Sequence, residues 1–231
     1  MKKKVAILQS NYIPWKGYFD LINSVDEFII YDDMQYTKRD WRNRNKIKTL
    51  DGLRWLSIPV SVKGKYHQKI NETLISDPQW AVKHWDTIVH SYKKSPYFMQ
   101  YKEDFESFYA TSDHLYLSSI NIELIKLVNN ILGITTKISL SSSFELVEGQ
   151  TERLLDLCEQ VGATEYLSGP AARSYFDENL AIKLGIGVEW MSYDDYPEYS
   201  QMTMPFDHGV SIIDLIFNEG PNATKFMKSF E

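Results

Sequence analysis

The sequence predicts an α/β protein: a central, mainly parallel, Rossmann-like sheet that carries a β-hairpin and a helical insertion. Three observations predict it. An apolar run, a loop, a periodic segment and a second apolar run fill the first thirty-odd residues, which is the pattern of a βαβ unit. A stretch of helical periodicity then occupies the middle of the chain. After it, short apolar runs and amphipathic segments alternate again to the end.

Lys4 to Ser10 is rich in β-formers, Pro14 marks a loop, and Gly17 to Val25 is periodic like a helix. Glu27 to Tyr31 is the second run and ends in Asp32-Asp33. Asn45–Thr49 and Leu53–Val60 flank Asp51-Gly52, a pair that supplies the positive φ angles of a tight hairpin. Asp77-Pro78 starts a helix reaching about Lys94, Ser95-Pro96 starts another to about Tyr109, and a third runs from Ser119 to Leu132 with Gly133 as its cap. Thr136–Leu140, Glu165–Leu167 and Val188–Met191 read as strands; Thr151–Val161, Pro170–Leu184 and Ser211–Asn218 read as helical, with a short helix last. The expectation is one α/β domain over 1–231, with residues 62–133 as a mainly helical insertion.

At 231 residues such a domain buries most of its apolar surface without disulfides, and 43 % hydrophobic with 24 % charged residues is ordinary for a globular chain. The single cysteine, Cys158, lies among leucines and reads as structural; it points to a reducing compartment. The basic start is followed by too short an apolar run for a signal peptide, and no stretch reaches the length of a membrane-spanning helix. A cytoplasmic protein is expected. The net charge of −6 argues against a nucleic-acid partner. What stands out is 14 % aromatic residues, including fifteen tyrosines.

Ligand sites in parallel sheets gather beyond the carboxyl ends of the strands. The first end presents Gln9, Asn11 and Tyr12, followed by Gly17 and Tyr18 where a helix opens. Gly17 would let a ligand approach the backbone closely, or would simply shape the connection with Pro14. The second end presents Asp32 and Asp33, which could hold Mg²⁺ or orient sugar hydroxyls; Asp33 is also a candidate base. Lys38, Arg39, Trp41, Arg42, Arg44 and Asn45 come next. Their guanidinium groups suit a phosphate or diphosphate, unless they pair with the protein's own acids. Ser168 and Ser174 follow a third strand, Tyr199 and Gln201 a fourth, in loops whose rings and polar atoms suit a sugar. His208, just before the last long helix, is the first candidate for a general base. The histidine spacing, with one cysteine, makes a zinc site improbable, and no residue is assigned as a metal ligand.

The run QSNYIPWKGYFDLINSVDEFIIYDDMQYTKRDWRNRNKIK, with YLSGPAARSYFDE, EYSQ and HGVSIIDLIFNEG further on, resembles the WbqC-like proteins over nearly the whole chain. That family is encoded largely among genes for bacterial O-antigen and other surface polysaccharides, so the resemblance implies a role in making a modified, nucleotide-linked amino sugar. It assigns no catalytic residues. Trp15-Lys16-Gly17-Tyr18 also stands where nucleotidylyltransferases and pantothenate synthetases carry a His-x-Gly-His signature, but only the glycine matches.

The expected function is therefore acyl or aminoacyl transfer to the amine of a nucleotide-linked sugar, with the diphosphate near the basic run and the acceptor over the tyrosine-rich loops. Two rivals stand beside it: an ATP-dependent amide ligase or nucleotidylyltransferase-like enzyme, and a non-catalytic nucleotide-sugar-binding protein. The cofactor class left open is a nucleotide, with or without Mg²⁺.

Overall fold

In the computed structural model, which describes residues 2–230, five short strands form one parallel sheet. They are β1 (Lys4–Leu8), β2 (Glu27–Ile30), β5 (Lys137–Leu140), β6 (Glu165–Ser168) and β7 (Gly187–Trp190), in the order β5-β2-β1-β6-β7. β1 and β2 are joined by α1 (Lys16–Asn23), so the expected first βαβ unit is present. β2 and β1 are buried on both faces, as strands covered by helices should be.

The chain first moves outward, from β1 to β2 and then to β5. It returns to the other side of β1 for β6 and β7. A crevice therefore opens at the carboxyl ends of β1 and β6, where successive connections diverge.

β3 (Arg44–Thr49) and β4 (Gly52–Ser57) form the antiparallel hairpin on their own, apart from the main sheet. Gly52, with φ of 107°, occupies the turn conformation that side chains disfavour. The second strand stops at Ser57, three residues short of the expected Val60, although Ile58 N–H still donates to Asn43 O at 2.7 Å; Val60 bridges to Ile75 instead.

The middle of the chain gives α2 (Trp80–Tyr92), α3 (Phe98–Thr111) and α4 (Leu117–Leu132). α2 begins three residues after Asp77, whose carboxylate caps the preceding turn by accepting from Gln79 N–H. α4 ends at Gly133 in the left-handed conformation, as its position predicted. The apolar faces of all three helices join α1 and α7 (Ile212–Glu219) in one core around Phe19, Tyr92, Phe105, Leu124 and Phe217. A second core, under α5 (Gln150–Gln160) and α6 (Glu178–Lys183), surrounds Leu155, Cys158 and Tyr166 on the opposite face of the sheet. Among the described residues, no helix is long and apolar enough to cross a membrane.

Candidate functional site

The first loop sets the geometry. β1 ends at Leu8, and Ser10 N–H then turns to Asp32 Oδ1 at 2.8 Å. Tyr12 N–H bonds Trp41 O at 3.1 Å, while Asn45 Nδ2 holds the carbonyls of Tyr12 and Ile13 at 3.1 and 2.7 Å. These contacts carry the chain over the carboxyl edge of the sheet and bring Trp15 beside the loop after β7. The Trp15 ring lies 5.1 Å from that of Tyr193 and 5.6 Å from that of Tyr196.

A cavity of about 490 Å³ opens there, lined by Asn11, Pro14, Trp15, Trp41, Asn45, Tyr193, Asp195, Tyr196, His208 and Gly209. The loops near position 41 and near position 195 thus share one wall-to-wall space. His208 packs edge-on against Phe206 with ring centroids 4.6 Å apart, and its Nδ1 is buried without a hydrogen-bond partner. Burial, and then the nearby Lys16 ammonium, lower its pKa from the ordinary imidazole value. At neutral pH the ring is therefore uncharged and able to accept a proton.

A second cavity, of about 570 Å³, lies in the crevice between β1 and β6. Gln9, Arg42 and Ser168 line it, together with Tyr31, Arg153, Leu154, Gly169 and Tyr175.

The basic run does not act as one cluster. Arg42 alone reaches a cavity, donating to the side-chain oxygens of Asn11 and Gln9. Arg44 lies over the Trp55 ring, 4.3 Å from its centroid, and donates to Arg39 O. Lys38 is exposed, 6.0 Å from the ring of Tyr66, and Arg39 is exposed in a positive-φ turn. The four-residue clamp expected from sequence thus reduces to one side chain, because residues 38–43 form successive turns whose side chains diverge.

The two acids also have structural work. Asp32 is buried and accepts from Ser10 N–H, Ser10 Oγ and Ser118 Oγ. Asp33 accepts from Ser141 Oγ at 2.6 Å and Asn71 Nδ2 at 3.1 Å, with Lys69 Nζ at 3.6 Å. Both are committed to joining β2 to the segments that cover it.

Tyr12, Tyr18 and Tyr199 are buried in the core. The Tyr12 hydroxyl bonds His84 Nδ1 and Tyr109, the Tyr18 hydroxyl donates to Gln9 O, and the Tyr199 hydroxyl donates to Asp214. Gln201 also donates to Asp214. Ser174 is exposed and donates to Ala171 O. Gly17 is needed for space: a Cβ there would sit 2.3 Å from the Trp15 ring.

The WbqC-like protein family model matches residues 9–226. The chain belongs to the WbqC-like protein family. Within it, an uncharacterized protein of Mycobacterium tuberculosis is similar at 52% identity over 226 residues, covering 98% of this chain and 98% of its own length. No solved structure matches the chain.

In this WbqC-like chain, sequence reasoning missed Trp15, Lys16 and Arg153 as candidate site residues, whereas Tyr193 and Tyr196 belong to the tyrosine-rich loop it had singled out. Trp15 carried a usable signal, since it lies in the loop after β1. Lys16 had none: its Nζ is buried by the distant Tyr196 and Tyr199 rings and bonds Pro197 O at 2.8 Å. Arg153 lies in the first turn of the helix after β5, and only the sheet order shows that this turn faces the crevice.

Proposed function

We propose that this WbqC-like protein is a transferase of bacterial surface-polysaccharide biosynthesis that acylates or aminoacylates the amine of a nucleotide-linked sugar. One observation carries the reading: an aromatic-walled cavity lined by the His208 imidazole, whose pKa burial lowers. Trp15, Trp41, Tyr193 and Tyr196 offer ring faces to the apolar C–H surfaces of a sugar, and Asn11 and Asp195 offer polar atoms to its hydroxyl or amino groups. In the proposed step the sugar amine attacks the acyl carbon of an activated donor. His208 takes the amine proton, and the donor's leaving group departs with its bonding pair. The new amide remains on the sugar. Asp33 is not a base in this scheme, since its carboxylate is held by Ser141, Asn71 and Lys69.

The test is mass-spectrometric detection of the acylated product from amino-sugar nucleotides mixed with acyl-coenzyme A, or with an amino acid and ATP. His208→Ala should lower turnover by about 10²- to 10⁴-fold, the usual worth of a positioned proton acceptor, with substrate affinity nearly kept. Wild-type turnover in that variant would remove His208 from the chemistry. Pyrophosphate release on adding ATP would favour the ligase reading, and saturable binding with an unaltered ligand would favour a non-catalytic one.

A further inference from the structure

The crevice cavity between β1 and β6 has an unusual charge balance for a chain of net charge −6. Its wall contains two guanidinium groups, Arg42 and Arg153, and no carboxylate. The Arg42 side chain is only 14% exposed; it donates to the neutral amide oxygens of Gln9 and Asn11, pairs with the Asp40 carboxylate at 3.7 Å, and lies near enough to the buried Asp32 carboxylate to lower its pKa. Arg153 gives its Nε to Val147 O at 2.5 Å, and among the described residues no carboxylate lies within 4 Å of it. Arg153 is thus held by neutral partners alone, and a partly buried guanidinium without a carboxylate beside it favours an incoming anion. Tyr31, Met34, Leu154 and Tyr175 give the wall apolar and aromatic surface, and Gln9, Gln150 and Ser168 add neutral polar groups.

The crevice and the aromatic cavity share their boundary. Arg42 joins Gln9, which lines the crevice, to Asn11, which lines the aromatic cavity. At a second point, the Tyr193 hydroxyl lies 3.6 Å from where a Cβ on Gly169 would stand, so a wall residue of one cavity abuts a wall residue of the other.

We infer that the crevice holds the nucleoside diphosphate half of the substrate, with Arg42 on the diphosphate at the seam, Arg153 on the same charge from the far wall, and the sugar reaching into the aromatic cavity. This deepens the proposed sugar-nucleotide reading and rests on it. A guanidinium fork pairs two phosphate oxygens at once, and the aromatic and aliphatic wall suits the flat face of a base. No carboxylate lines the crevice wall, and Asp40 is held in its ion pair with Arg42.

Calorimetric titration of the full-length chain with UDP, dTDP, ADP and inorganic pyrophosphate tests the inference without requiring turnover. At least one nucleoside diphosphate should bind, and more tightly than pyrophosphate. Arg153→Gln, on the helix side of the crevice, and Arg42→Gln, at the seam, should each weaken it about tenfold or more. His208→Ala, on the other cavity, should leave it within about twofold. An unchanged melting temperature in each variant shows that the fold is retained. No binding by any nucleoside diphosphate, pyrophosphate binding as tightly as all three, or loss in His208→Ala but not in Arg153→Gln would each overturn the assignment. Binding that follows the two arginines while His208→Ala keeps normal turnover would leave the inference standing and sink only the proposed base.

Discussion

The Nζ of Lys16, at the start of α1, donates to the carbonyl oxygen of Pro197 at 2.8 Å and lies 4.9 Å from the centroid of the Tyr196 ring. This one cation ties the first loop of the chain to the tyrosine-rich loop after β7, and so holds two walls of the aromatic cavity together. Burial lowers its pKa to about 8, with the Asp20 carboxylate acting in the opposite direction. The folded pKa is below the unfolded value of about 10.4, so the unfolded chain binds more protons between these limits. Stability contributed at this site therefore rises with pH across that window. The difference in unfolding free energy between wild type and Lys16→Met should grow between about pH 8 and 10, as followed by urea denaturation. A flat difference would show that the ammonium is not desolvated.

Asp214, in the first turn of α7, is fully buried and accepts from the Tyr92 hydroxyl at 2.9 Å, the Tyr199 hydroxyl at 2.8 Å and Gln201 Nε2 at 2.9 Å. Burial raises its pKa despite those donors. Asp214→Ala strands three buried donors at once, and should cost about 3–5 kcal/mol; Tyr199→Phe removes one bond to a charged acceptor and should cost about 1–3 kcal/mol. Urea midpoints for the two variants would show whether the ranking holds. A loss below about 1 kcal/mol in Asp214→Ala would mean that water reaches the network.

Gly17→Ala asks for space that the Trp15 ring occupies, with ring atoms 2.3 to 2.8 Å from the new methyl. The indole must leave its edge contacts with Tyr193 and Tyr196. Alanine's better helix propensity returns at most about 1 kcal/mol against an overpacking cost of about 1–3 kcal/mol. A lower melting temperature and altered tryptophan fluorescence are expected. Wild-type values in both would show that the ring is free to move.

Glu27, buried in β2, faces Lys3 Nζ at 2.7 Å and Lys137 Nζ at 2.9 Å and accepts from Ser139 Oγ. Burial pushes its pKa up, but the bonds from Lys3, Ser139 and Lys137 outweigh it and bring the carboxyl down to about 2. The folded pKa lies below the unfolded value of about 4.3, so this contribution is present at higher pH and is lost as pH falls from about 4 through 2. Glu27→Gln should lower stability at neutral pH and make the acid limb of a melting-temperature profile shallower than in wild type. Parallel acid limbs would exclude Glu27 as a source of acid sensitivity.

Much of the fold was legible because its signals are local. Asp51-Gly52 specifies a hairpin within a few residues, Gly133 ends α4, and the run from Lys4 to Ile30 contains a whole βαβ unit. Turn chemistry and periodicity act through the backbone nearby, so one sequence suffices to read them. The site was legible only in part. His208 and Trp41 were named from sequence and both line the aromatic cavity, whereas Arg39 and Arg44, close to Arg42 in the chain, point elsewhere.

The sequence by itself determined the order and kind of the elements, and with them the sheet edge beyond which the two cavities open. Only the tertiary structure decided which charges remain unmatched there. Arg153 meets the crevice because β5 and β6 lie on opposite sides of β1, and Lys16 loses its water because rings nearly two hundred residues away close over it. Desolvation and charge pairing depend on the distances between groups remote along the chain, and those distances exist only once the sheet order and the packing of its covering helices are set.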